Sequence, residues 1–449
     1  MKKLFLILVL SAHTLLGQSI TGAWSGELNV QGTKLPLVLN ITEKDGVLVS
    51  TLDSPRQGAK GLPVKETRFE NDELTIDAPA LGLKYSGRRV SADSLSGTFT
   101  QNGMNLPLSL KRGAAEQAKP SRPQTPQPPY AYYTEEVTLK NEKEGNLLAG
   151  TIAAPNQGKD FPILVMITGS GAQNRDEELF GHKPFLVIAD YLAKQGIGTL
   201  RLDDRGVGGS EKGKAGATSE DFAGDISSAV NFLAARGYRN IGLIGHSEGG
   251  MIAPMVNSMN KKVKFMVLLA GPGIPIPELM KLQTYEVTKS TGVPEEHARA
   301  AAESNIKIYS FINTYKGDNL AADLTAYLKK EIPTLPEAQL KTSVNQVANP
   351  WFRYFLAFNP DVYLSKVKVP VLALNGSRDV QVTAKENLAG IRKSLEKAKN
   401  TKSEIREMEG LNHLFQTAKT GAVSEYGELE ETISPKVLEK ISTWVLGLK

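Results

Sequence analysis

The 449-residue chain carries only five histidines, His13, His182, His246, His297 and His413, and no cysteine. Thiolate nucleophiles, disulfides, iron–sulfur clusters and cysteine-ligated zinc are thereby excluded, so a nucleophile must be sought among the hydroxyls. One serine has fitting surroundings. Ser247 is the centre of Gly245-His246-Ser247-Glu248-Gly249, a G-x-S-x-G pentapeptide. The bare pattern is weak, and its context strengthens it. The apolar run Ile241 to Gly245 precedes the serine, and Met251 to Val256 opens a helix after it. A strand–turn–helix of this kind holds a serine hydroxyl exposed at strained backbone angles. The flanking glycines let strand and helix approach closely.

Such a serine needs a base. His13 falls in a leader-like segment, His246 adjoins Ser247 and is expected to point away from its hydroxyl, and His182 follows a strand. His297 lies in a helical stretch. That leaves His413, in the loop EGLNHLFQ after the last strand-like segment. In the order serine, acid, histidine, the carboxylate comes between the other two. The segment VPVLALNGSRDVQV supplies a strand, a Gly-Ser turn and Asp379, while the competing Asp361 precedes that strand. A carboxylate at Asp379 would fix the imidazole tautomer and stabilise the imidazolium. The oxyanion of acyl transfer calls for backbone donors. The expected pair is the N–H of Glu248 and that of Ser170, with Gly171 as the alternative, in the loop ITGSGAQNRDE. One such donor is typically worth about 2.7–4 kcal/mol in the transition state.

Other patterns carry less. Gly169-x-Gly171 has Asn174 where a dinucleotide fingerprint needs a third glycine or alanine. Gly208 to Ala215 reads G-x-x-x-x-G-K-A and lacks the hydroxyl that binds magnesium in a P-loop. There is no H-E-x-x-H, and neither a metal nor a cofactor is expected. Asp203, Asp204 and Arg205 read better as a salt-bridged turn than as site residues. Arg175 and Asp176 read equally well as substrate contacts or loop solvation. Trp351 and Phe355, in the run NPWFRYFLAFNP, are candidates for substrate binding, although aromatics at helical spacing are more often core.

The elements that must hold these residues follow from periodicity. From 20 to 112, short alternating runs such as Leu35, Leu37, Leu39 and Ile41 are separated by Gly, Asn and Asp. That predicts a small antiparallel β domain. Residues 113–130 contain five prolines before Tyr130 and almost nothing apolar, which predicts an extended linker. From 131 to 449, strands alternate with helices, which predicts a doubly wound, mostly parallel sheet of the α/β class. Between about 272 and 368 nothing reads as a strand, and that interval is expected to form a helical cap. Residues 1–17 have a basic start and a short apolar core. They read as a signal peptide, so export to the periplasm or beyond is expected. No later run is long and apolar enough to span a membrane. The net charge of +5, which falls to +3 without Lys2 and Lys3, is scattered and predicts no nucleic-acid partner.

Taken together, GSGAQNRDE, DDRGVGGS, GHSEGG, GSRD and GLNH occur in the order found in the α/β-hydrolase superfamily. From about 131 to 449 the chain resembles exported bacterial serine carboxylesterases of the EstD type. The resemblance implies hydrolysis of small carboxylic esters, usually of short acyl chains, through an acyl-enzyme. Two other readings stay open: an aminopeptidase-like serine hydrolase, and an inert hydrolase fold on a glycan-binding surface protein. Acyl and alcohol specificity and oligomeric state are not legible.

Overall fold

The computed structural model describes residues 19–448 apart from 31–32, 56–58, 102–103, 114–120, 334 and 336. The predicted leader, 1–17, and much of the proline-rich segment lie outside the described residues. The chain divides into two compact units between Gln117 and Ala118.

The first unit is all β and antiparallel. Its strands are β1 (Gly22–Val30), β2 (Thr33–Lys44), β3 (Val47–Ser54), β4 (Ala59–Pro63), β5 (Glu66–Glu70), β6 (Glu73–Ala78), β7 (Leu83–Ser91), β8 (Ser94–Gln101) and β9 (Met104–Arg112). Their order is β4-β3-β2-β1-β9-β8-β7-β6-β5, so the first and last strands meet in the middle of the sheet. The period-two pattern explains the core. Leu37, Leu39 and Ile41 turn inward with Trp24, Leu28, Leu74, Ile76 and Leu95. At the sheet ends, β3 and β5 are drawn together by the 2.6 Å contact between the Ser50 and Thr67 hydroxyls.

The second unit contains β10 (Tyr133–Lys140), β11 (Leu147–Ala154), β12 (Ile163–Ile167), α1 (Pro184–Lys194), β13 (Gly198–Leu202), α2 (Ser219–Ala235), β14 (Ile241–His246), α3 (Glu248–Met259) and β15 (Val263–Leu269). It closes with β16 (Val371–Gly376), α10 (Ala384–Lys397), β17 (Glu404–Met408) and α11 (Pro435–Gly447). The sheet runs β10-β11-β13-β12-β14-β15-β16-β17. All pairs from β13 to β17 are parallel, and β10 and β11 pair antiparallel at one edge. Both faces are covered, as the continuous apolar strands require. Leu243 of β14 joins a core with α2, α3 and α10. Its neighbour Ile244 joins the core formed with α1 and α11 on the other side.

Between β15 and β16 come α4 (Ile276–Ser290), α5 (Glu295–Thr314), α6 (Leu320–Glu331), α7 (Glu337–Val347), α8 (Pro350–Leu356) and α9 (Asp361–Leu364). Buried residues of this insertion, among them Ile312, Leu324, Phe352 and Leu356, are continuous with the core on the α2–α3 face. Arg122 and Gln124 tie the segment before β10 to the rest of this unit. Arg122 donates to the carbonyls of Phe180, Gly427 and Leu429, and the Gln124 amide exchanges hydrogen bonds with the backbone at Thr432 and Ile433.

Candidate active site

Ser247 sits between β14 and α3 with φ 53° and ψ −117°. A non-glycine residue at positive φ is uncommon and costs of order 1–3 kcal/mol, which the surrounding packing must hold. Here that packing consists of glycines. A Cβ on Gly245 would stand 2.1 Å from the Gly249 carbonyl oxygen, and one on Gly249 would stand 2.1 Å from that of Ile167. Only glycine at both positions lets α3 press against the ends of β14 and β12. The resulting turn presents the N-terminus of α3 to whatever Ser247 faces, and its partial positive charge favours a developing anion.

Beyond β16, the Asp379 carboxylate is buried and receives four donors. Oδ1 accepts from the backbone N–H of Gln381 and Val382, both at 2.8 Å. Oδ2 accepts from His413 Nδ1 at 2.8 Å and from the Asn375 amide at 3.2 Å. This ordering puts the proton of the neutral His413 ring on Nδ1 and leaves Nε2 as its basic nitrogen. Ser247 and His413 line one pocket of about 310 Å³. Among the described residues the Ser247 hydroxyl has no hydrogen-bond partner. Asp361, the competing acid, is engaged elsewhere, at 2.7 Å from both Lys397 and the Ser394 hydroxyl. His182 is a buried ring bound by Thr432 and the Tyr426 carbonyl, and burial pushes its pKa down to about 4. His297 is exposed on α5.

The loop after β12 carries Ser170 and Gly171, both exposed, with Gly171 at φ 104°. The adjacent Gly169 N–H is already committed, donating to Glu177 Oε1 at 2.6 Å. The loop is also held from the side of β13. Asp204 accepts from the Gln173 N–H and the Thr168 hydroxyl, both at 2.9 Å. Burial lifts its carboxyl to about 7, opposed by those two hydrogen bonds and assisted by the charges of Glu177 and Glu248. The neighbouring residues form the salt-bridged turn that their types suggested. Asp203 pairs with Arg175, and Arg205 with Asp225 and Glu144. Arg175 also pairs with Glu136, and Asp176 with Arg201, so both are structural ties here.

Trp351 and Phe355, on α8, line the same pocket as Ser247 and stack on each other at 5.4 Å. Trp351 is tied to the elbow. Its Nε1–H donates at 2.9 Å to Glu248 Oε1, which also accepts from the Ser219 hydroxyl at 2.6 Å. The side chain of Glu248 therefore joins α2, α3 and α8. The sequence pattern gives this residue only a backbone role. Leu279, Met280 and Gln283 of α4 complete that wall, and among the described residues no lysine or arginine lines the pocket.

Glu177 has no role in the sequence pattern, yet it is part of the site. It is buried at φ 51°, in contact with the His246 ring. Its sequence signal is slight, one acid among several in RDEELF.

A profile of the family described as "Serine aminopeptidase, S33" matches residues 184–326. The chain is 25% identical over 302 residues to "Esterase EstD" of Thermotoga maritima, covering 67% of this chain and 66% of that one. The match thus spans slightly less than two thirds of the relative's own length. Among solved structures, the chain is similar to the Pyrococcus furiosus esterase Pf2001, with 18% identity, 70% of this chain and 91% of that chain covered, and a TM-score of 0.43. It is also similar to Est1E from Butyrivibrio proteoclasticus with ferulic acid bound, with 18% identity, coverage of 69% and 98%, and a TM-score of 0.41.

Among the described residues, no helix is long and apolar enough to cross a membrane, and no group of three or more His, Asp or Glu side chains is placed to hold a metal ion.

Proposed function

We propose that the protein is a serine carboxylesterase that cleaves small, uncharged, short-chain acyl esters through an acyl-enzyme on Ser247. The observation that carries this reading is one pocket shared by a serine at a strained strand–helix turn and a histidine oriented by a buried carboxylate. Similarity to a named esterase agrees with it. His413 Nε2 takes the Ser247 proton as the hydroxyl attacks the ester carbonyl. The Asp379 carboxylate stabilises the imidazolium that forms, and the backbone N–H groups of Glu248 and Ser170 hold the oxyanion. The imidazolium then protonates the departing alcohol. Water repeats the sequence and frees the acid. The Ser247–His413 hydrogen bond forms as substrate enters, since such contacts often tighten only in the complex.

The helical insertion acts as a cap whose aromatic wall, Trp351 and Phe355, bounds the acyl or alcohol group. The predicted leader makes this an exported enzyme, periplasmic or secreted.

The family profile raises an aminopeptidase alternative. Such an enzyme needs a free acid for the substrate's ammonium group. Glu177 and Glu248, the two carboxylates lining the pocket, already serve His246 and Gly169 in one case and Ser219 and Trp351 in the other. Esters therefore fit better than amino-terminal amides. The test is turnover of p-nitrophenyl acetate and butyrate, alongside chromogenic amino-acid amides, by wild type and Ser247→Ala. Ester turnover lost in the variant supports the assignment. Equal ester rates would sink it, and amide turnover in excess of ester turnover would move it to the peptidase.

A further inference from the structure

Behind the proposed nucleophile lies a second histidine–carboxylate couple. His246 and Glu177 are both buried. His246 Nδ1 is 3.0 Å from Glu177 Oε1, and its Nε2 is 2.9 Å from the backbone carbonyl oxygen of His413. With Glu177 ionised, both partners are acceptors. A neutral imidazole has one N–H and can serve only one of them, so the ring satisfies both only as the doubly protonated imidazolium. The chemistry of the partners thus sets its charge.

The same Glu177 oxygen accepts the Gly169 N–H at 2.6 Å. A Cβ on Gly169 would stand 3.2 Å from Glu177 Oε1 and 3.3 Å from Ser247 Cβ, so the loop backbone is wedged between couple and nucleophile. One ion pair therefore fastens two separate pieces of the site: the start of the loop that carries Ser170, and the backbone of His413. We propose that Glu177 and His246 are positioning residues for the reaction assigned above, a charged clamp that sets the oxyanion loop and the base relative to Ser247. This inference rests on the ester-hydrolase reading for its kinetic consequence, while the charge state of the clamp stands apart from it.

The charged groups around the ring support the imidazolium. Glu177 approaches from the loop after β12. His413 lies with its ring centroid 4.8 Å away, backed by Asp379. Asp204 acts on Glu177 from beside β13. The small cavity beside the ring is walled by apolar residues, among them Phe185, Ile188, Leu269 and Phe415. Burial by itself would push the His246 pKa down. The Glu177 charge, its hydrogen bond, the His413 carbonyl and Asp379 together outweigh this and hold it above the ordinary histidine value. A raised folded-state pKa gives stability that is fully present below the unfolded value and lost as pH rises through the folded one. The clamp therefore releases on the alkaline side.

The test combines ring ¹⁵N NMR of the ¹⁵N-histidine-labelled full chain with kinetics of Glu177→Gln, a near-isosteric change that keeps an acceptor and removes the charge. With five histidines, one of them at 13, the spectra stay assignable by single substitution. The expected wild type has His246 protonated on both nitrogens at pH 7, while His182 is neutral. In Glu177→Gln the His246 ring is expected to be neutral at pH 7. For p-nitrophenyl acetate, kcat should then fall roughly 10- to 100-fold with KM nearly unchanged, as expected for misplaced reacting groups. The alkaline limb of kcat should move to lower pH. A purely space-filling role would lower activity without moving that limb. A neutral His246 in the wild type would overturn the proposal, as would Glu177→Gln with wild-type kcat and pH profile. A wild type inactive on esters but with a doubly protonated His246 would remove the esterase reading and uphold the charged clamp.

Discussion

Asp379–His413 and Glu177–His246 are both imidazole–carboxylate couples, with ring centroids 4.8 Å apart and nearly equal carboxylate–nitrogen distances, 2.8 and 3.0 Å. They differ at the second ring nitrogen. In His413 it is left over in a pocket shared with Ser247, which is what the proposed proton transfer requires. In His246 it is spent on a carbonyl oxygen, so the ring is locked in its charged form and transmits position. A histidine–carboxylate pair is thus a proton carrier or a fastening according to what faces its other nitrogen, and pair distance alone does not separate the two.

The comparison can be broken from either side. The largest effect is expected from removing what the open couple serves: Ser247→Ala should lower kcat for p-nitrophenyl esters by about 10⁵- to 10⁶-fold. Asp379→Asn keeps the shape but allows the wrong tautomer at His413, with an expected loss of about 10⁴ in kcat in the same assay. Breaking the closed couple with Glu177→Gln gives the smaller loss stated above together with its displaced alkaline limb. A tenfold or greater gap between these two carboxylate variants would confirm that the couples have different duties. Trp351→Phe removes the indole donor to Glu248 and touches neither couple. It should lower stability by about 1–2 kcal/mol, the worth of one hydrogen bond to a carboxylate oxygen that keeps the Ser219 hydroxyl as a donor, read as a lower urea midpoint. Its KM for butyrate should rise more than that for acetate.

The smallest effect concerns Asp204. A carboxyl raised to about 7 by burial binds its proton more tightly folded than unfolded, so stability falls as pH rises from about 4 towards and through 7. The urea midpoint should drop between pH 5 and pH 8, and Asp204→Asn should flatten that drop.

Much of the site was legible because its chemistry is local. The G-x-S-x-G context located the elbow, and four other histidines offered little competition to His413. The helix over the aromatic run at Trp351 and the strand β10 were less visible, the first because it is short and the second because Glu135, Glu136 and Lys140 dilute its alternation. His246 was read only as a neighbour facing away from the serine. That view was incomplete: facing away is what brings its ring between Glu177 and the His413 carbonyl.

By itself, the sequence determined the classes of element and the candidate nucleophile, base and acid. Strand and helix periodicity, glycine at strained turns and the scarcity of histidine are properties of neighbouring residues. Only the tertiary structure decided that Nε2 of His413 is left free while both ring nitrogens of His246 are engaged, that Glu248 ties α8 to the elbow, and that Glu177 holds both Gly169 and His246. Those facts depend on donors and acceptors brought together from positions as far apart as 177, 246 and 413. Burial then obliges each of them to find a partner, and which partner is a matter of where the folded chain puts it.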